Sequence, residues 1–236
     1  NALIPLERHA LTSTPRPLVN ASAEDFFLPG TQPGLTTPLI DSADCKTCHS
    51  AAIYDEWRGS NMGQAGRDPL TWAAIYNANA TVTNAGEFCL RCHTPTGWYA
   101  GRSNPADGSA LLPQDIRNGV SCQLCHRMVD IDPSSNDETS GIDQIIRNAI
   151  SQLPPNDHRG SAMILLDPND NRRGPFSLPG FGYHSAYRSD LLSQAQNAWK
   201  ESSLCGNCHN IDNPLLSWNA TQEEYLPNAN ELGRAS

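Results

Sequence analysis

The sequence predicts a mainly α chain with extensive irregular coil and little or no β-sheet. Three observations predict it. The 236 residues include 18 Pro and 17 Gly, which interrupt regular structure along most of the chain. Only 38% of the residues are hydrophobic, a thin supply of side-chain core for a chain of this length. All eight cysteines fall in four Cys-x-x-Cys-His motifs, so something other than side chains is expected to fill the middle of the molecule.

Residues 1–40 carry Pro5, Pro15, Pro17, Pro29, Pro33 and Pro38 and show neither helical nor alternating periodicity, so they read as an extended N-terminal arm. No linker divides residues 41–236, which read as a single domain. Short helices are expected over 50–59 and over 69–78, the second with Asp68 as its cap and Pro69 at its first position. Residues 141–152 place Ile142, Ile145, Ile146, Ala149 and Ile150 on one face of a helix. A further helix over 189–203 starts from a Ser189 cap and runs into the last cysteine motif. Convincing alternating strands are absent. The apolar run 161–166 reads equally as a strand or as buried coil.

The motifs are Cys45-Lys46-Thr47-Cys48-His49, Cys89-Leu90-Arg91-Cys92-His93, Cys122-Gln123-Leu124-Cys125-His126 and Cys205-Gly206-Asn207-Cys208-His209. Two residues between the cysteines place both sulfurs where the two vinyl groups of one haem can be reached, and the adjacent histidine is directed beneath the iron. Paired Cys-x-x-Cys also builds zinc sites, but zinc does not explain the histidines. With 7 His in the chain, a His after all four cysteine pairs has a chance probability on the order of one in a million. A disulfide framework fails for the same reason. The expectation is four covalently attached haem c groups, a multihaem cytochrome c fold organised around them, and no folding without haem.

Four six-coordinate irons need four ligands beyond His49, His93, His126 and His209, and His9, His158 and His184 supply three. The fourth candidate is a thioether: Met62, Met128 or Met163. Met128 follows His126 too closely to reach the far face of the same haem, and Met163 sits in an apolar run where packing is its expected role. Trp57, Trp72, Trp98, Tyr99, Trp199 and Trp218 read as porphyrin-packing or core residues. Arg58, Arg102, Arg127, Arg172 and Arg173 are candidates to neutralise haem propionates, with solvated surface charge as the equal alternative.

The order of features carries a resemblance. A first motif is followed by Tyr54, Trp57, Ser60 and Met62, a second by Thr94-Pro95, and Gly119-Val120 stands directly before the third. Over roughly residues 42–213 this resembles the tetrahaem cytochromes that accept electrons from hydroxylamine oxidoreductase and the wider group of related multihaem cytochromes. In that family a distal histidine follows the Trp-x-x-Ser/Thr stretch, and Met62 stands at that place here. The resemblance implies one His/Met haem and three His/His haems. The chain departs from the pattern at Arg127, where relatives often have Gly-Pro.

The net charge of −9 argues against nucleic acid or an anionic membrane surface as partner, and suits an acidic carrier meeting basic redox partners. No run of eighteen apolar residues exists to span a membrane. The chain opens at Asn1 without a basic-then-apolar leader, so a signal peptide is expected to have been removed. Haem c is attached outside the cytoplasm, hence the protein is expected to be secreted, in the periplasm or outside the cell.

The expected function is electron transfer and not enzymatic catalysis. In haem number, size and motif order the sequence also looks similar to filament-forming extracellular cytochromes, or nanowires. That implies a homopolymer passing electrons to redox partner proteins or extracellular acceptors, with His9 on the arm, or another distal histidine, ligating a haem of the neighbouring subunit. The alternatives are a soluble periplasmic tetrahaem shuttle, or a small reductase of N-oxides or other nitrogen compounds. A reductase needs one five-coordinate haem, the vacancy that appears when Met62 does not ligate.

Overall fold

A chain so often interrupted by Pro and Gly can hold only short helices, and each then needs a strong local start signal. The computed structural model describes residues 20–22, 26, 28–129, 140–150, 160–172, 203–211 and 216–227. Ser50 opens α1 (Ala51–Gly59) by accepting from Ile53 N, and Ser60 opens α2 (Asn61–Gln64) by accepting from Gly63 N at 3.1 Å. Asp68 caps α3 (Pro69–Thr81), which continues three residues beyond the expected helix. Then come α4 (Gly86–His93), α5 (Pro95–Tyr99), α6 (Pro113–Asn118), α7 (Cys122–His126), α8 (Ser140–Ala149) and α9 (Ser203–His209). The first cysteine motif starts in a 3₁₀ turn, Ser42–Thr47.

The molecule is mainly helical with coil, as its composition implies. Its strands, among the described residues, form two antiparallel pairs: β1 (Met128–Val129) with β2 (Leu165–Leu166), and β3 (Leu216–Asn219) with β4 (Glu224–Pro227). The second pair has no alternating signature in sequence. Its turn is recognisable in retrospect, because Asn219 Oδ1 accepts from Thr221 N and Gln222 N at 2.9 and 3.1 Å, the local bond that favours Asn in turns. The apolar run 161–166 is mostly buried coil, with strand pairing confined to its last two residues. In α8, Ile146 packs on Val129 and Leu165, whereas Ile145 is 66% exposed, so the isoleucine stripe is used in part. Residues 189–202 of the expected fourth helix, its Ser189 cap included, lie outside the described residues; Ser203 begins α9.

The core gathers between the motif helices. Leu39, Ile75, Leu90, Trp98, Tyr99, Leu124, Met128, Ala162, Ile164 and Leu166 form one cluster, with Cys89, Cys92 and Cys208 packed on its edge. Residues 28–40, the later part of the expected arm, lie against this core. Leu28, Thr31 and Leu39 are buried, Gly34 N donates to Tyr99 O at 2.9 Å, and Thr31 N donates to Ile164 O at 2.8 Å. Residues 1–19, including His9, lie outside the described residues, as do His158 and His184.

Two buried arginines fasten the irregular segments. Arg91 is 2% exposed, lies over the Trp98 ring at 4.5 Å, and donates to three main-chain carbonyls: Ala162 O at 2.8 Å, Pro29 O at 2.9 Å and Leu28 O at 3.2 Å. Arg127, fully buried, donates to Asp167 O, Thr37 O and Pro38 O. Buried carbonyls in coil have no ladder to bond to, and a guanidinium fork serves several at once.

Arg91→Met should therefore take the guanidinium from three carbonyls, of which Leu28 O keeps Gln32 Nε2 and Ala162 O keeps Ile164 N while Pro29 O loses its bond, and cost about 1–3 kcal/mol in denaturant unfolding of the haem-loaded protein. Arg58→Ala, which breaks only the exposed 3.4 Å pair with Asp55, should stay within about 0.5 kcal/mol.

Candidate haem sites

Cysteines three apart on a helical turn share one face, and the residues between them turn the other way. Three motifs exploit that division. In α4, Leu90 and Arg91 are buried while Cys89, Cys92 and His93 keep partial exposure. In α7, Gln123 and Leu124 are buried, and in α9 Asn207 is. In α4 and α7 both middle residues are thus rooted in the core and in α9 Asn207 is, while the cysteines and histidines of the three motifs keep partial or full exposure. The first motif differs: Lys46, Thr47, Cys48 and His49 are all exposed, and Lys46 Nζ lies 4.8 Å from the Tyr54 ring centre.

The motifs come together in pairs. Cys45, His49, Cys122 and His126 line one cavity of about 100 Å³, along with Ile53, Tyr54, Gln123 and Arg172. Cys92, His93, Cys208 and His209 line a second of about 700 Å³, together with Met62, Val120 and Ile211. Cys45 and Cys122 are in side-chain hydrogen-bond contact, as are Cys92 and Cys208. The first contact, with Ser42, brings the Cys122 thiol down to about 6 and, with burial, drives Cys45 upward. Burial pushes the Cys125 thiol up to about 12, with the charges of Cys208, Cys122 and Cys205 also raising it, which places the third motif beside the fourth. Asn207 Nδ2 reaches the Met128 sulfur at 3.8 Å across the same junction.

The residues around the larger of these two cavities fit a c-type haem. The larger cavity falls within the ~300–1,000 Å³ range of cofactor sites. The Tyr99 hydroxyl, buried near Cys92 and Cys208, has no partner among the described residues. The donor sets are right as well: thiols for the thioether bonds and an imidazole next to each pair. At His93 the tautomer follows from geometry. Nδ1 lies 3.3 Å from Ala65 O, which can only accept, and 3.1 Å from Thr71 Oγ1, so Nδ1 carries the proton and Nε2 is left for a metal.

Of the three methionines, Met62 is the one that lines either of these two cavities. It is 45% exposed, while Met128 and Met163 are buried in packing. Its backbone is fixed by Val120 N, which donates to Met62 O at 2.9 Å. Gly119 makes the approach possible: it adopts φ +46°, and a Cβ there would stand 2.6 Å from Met62 O. Met62 therefore faces the second and fourth motifs.

Most of the arginine candidates are engaged elsewhere. Arg127 serves carbonyls, as described. Arg102 grips the fully buried Asp115 through two bonds of 2.6 and 2.7 Å, and Asp115 holds its charge high. Arg172 binds Asp170 at 2.9 and 3.0 Å while lining the first cavity, and Arg173 lies outside the described residues. Arg67, a cation lining the larger cavity, was not foreseen, and neither were Thr71 and Ala65 as partners of His93. Asp68 and Thr71, three apart on the first turn of α3, carry a signal of that contact that reads in sequence only as a helix cap.

No described helix is long and apolar enough to cross a membrane. No curated protein and no solved structure matches the chain. Residues 44–127, spanning the first three motifs, match the family model described as cytochrome c554 and c-prime. The chain is similar to those proteins over that stretch, and the match supports a c-type cytochrome with covalently bound haem that carries electrons.

Proposed function

We propose that the chain is a tetrahaem electron conduit in which the motifs are connected in the order first, third, fourth, second. The observation that carries this reading is the way the motifs share surfaces: Cys45 and Cys122 line one cavity, Cys92 and Cys208 line the other, and Asn207 of the fourth motif reaches Met128, just behind the third, at 3.8 Å. Thioether sulfurs mark the rim of a haem, so neighbouring sulfurs mean neighbouring attachment points. When bound, haem iron supplies the one-electron couple. The chain's own residues anchor it through Cys45, Cys48, Cys89, Cys92, Cys122, Cys125, Cys205 and Cys208, and ligate it through His49, His93, His126 and His209. His9, His158, His184 and Met62 complete the eight axial positions.

Replacing both cysteines of any one motif by Ala should lower the haem content from four per chain to three, by absorbance of the pyridine complex; a wild-type content other than four overturns the reading.

Met62 decides between conduit and reductase. Its place in the cavity of His93 and His209 favours ligation. Met62→Ala should convert one haem in four from low to high spin, and Met62→His should keep all four low-spin. A wild-type protein that already holds one high-spin haem, unchanged in Met62→Ala, would restore the reductase.

Assembly into an extracellular filament is the form of the conduit that a spare His9 on a Pro-rich segment supports. Negative-stain electron microscopy of natively purified protein should show thin regular fibres, absent in His9→Ala. Discrete particles at high concentration would return the protein to the role of a periplasmic shuttle.

A further inference from the structure

The partners of His93 extend beyond one hydrogen bond. Thr71 Oγ1, 3.1 Å from His93 Nδ1, lies 3.2 Å from Asp68 Oδ2. A carboxylate accepts, so the Thr71 hydroxyl proton points to Asp68 and its lone pair is left to accept the proton on His93 Nδ1. Thr71 is 8% exposed, which keeps this short chain away from solvent at its centre. The two oxygens of Asp68 divide their work. Oδ1 accepts from Leu70 N at 2.9 Å and caps α3, which would suffice for a helix start, while Oδ2 is committed to Thr71.

We propose that Asp68, acting through Thr71, is a positioning residue for His93 that makes the imidazole a stronger electron donor and lowers the reduction potential of the haem on the second motif. The inference rests on the reading of His93 as an axial ligand. A ligating histidine whose other nitrogen donates toward a carboxylate gains basicity, and hydrogen bonds in series polarise one another. More density on the imidazole favours the ferric over the ferrous iron. Ala65 O, the other acceptor at Nδ1, holds the ring in place but brings no charge.

The test uses the haem-loaded full chain. Peptide mapping first asks whether the segment with Cys89 and Cys92 carries haem; if it does not, the reading and the inference fall together. Asp68→Asn retains a good helix cap while removing the charge. Thr71→Val removes the hydroxyl at nearly constant volume, and Thr71→Ser restores it. Spectropotentiometric titration should show one haem of four moved to higher potential in Asp68→Asn and in Thr71→Val, the other three unmoved, and Thr71→Ser close to wild type. The double variant should move no further than Thr71→Val, since both substitutions act on one path. With haem present on that segment, unmoved potentials in both single variants overturn the inference while leaving His93 as a ligand. A uniform shift of all four haems with a lower melting temperature overturns it too, because that is the mark of a damaged helix start.

Discussion

The stretch Gly160–Asp167 passes through the middle of the molecule, coil up to the two residues of β2, buried at every residue, and the arrangement of the motifs depends on how its main-chain groups are satisfied. Such groups cannot be left unbonded without a cost of about 1–3 kcal/mol each. Ser161 and Ala162 take φ +50° and +56° in succession, a conformation that costs non-glycine residues of order 1–3 kcal/mol apiece. That turn aims their N–H groups at Asn210 O and Asn207 O in and after the fourth motif, at 2.8 and 2.7 Å. Ala162 O accepts from Arg91 in the second motif, and Asp167 N and O both bond Arg127 behind the third. This stretch thus bonds through its main chain to residues in or directly after three of the four motifs.

The arginines follow from that constraint. Arg91 occupies an inner position of a cysteine motif, and Arg127 directly follows one, where relatives in the resembling family often have Gly-Pro. Both are buried against carbonyls of coil, and Arg91 draws extra support from the Trp98 face. Placing the fastening residues inside the motifs couples the position of each cysteine pair to the coil around it. A fold with few regular elements can in this way hold sulfur neighbours in register without a sheet or a long bundle.

The helices around 50–59 and 69–78 were legible because Ser50 and Asp68 with Pro69 are local signals that do not depend on the rest of the chain. The cysteine motifs were legible for the same reason. The pairing of first with third and second with fourth was not, since it depends on contacts such as Cys122 N to Ser42 Oγ at 3.1 Å, eighty residues apart. Arg127 reads in sequence as a surface or propionate-binding charge, because burial of an arginine against carbonyls alone has no compositional mark. The β3–β4 hairpin was missed because Leu216–Asn219 is too short to show a period of two.

The ends of the proposed order differ physically, and the difference has a direction. At the first motif Cys48 and His49 stand exposed just after a 3₁₀ turn, beside Lys46, in a chain of net charge −9. On the proposed reading, a partner meeting that end would displace little protein, and the encounter would respond to ionic strength, as encounters between exposed charges do. At the second motif the cysteine pair is rooted by Leu90 and Arg91, and the His93 imidazole is tied to Thr71 and the Ala65 carbonyl. Buried, hydrogen-bonded surroundings are where a protein controls a ligand's electronics, because water no longer averages them out. The exposed end is therefore suited to exchange with partners, and the rooted end to setting the potential against which electrons run.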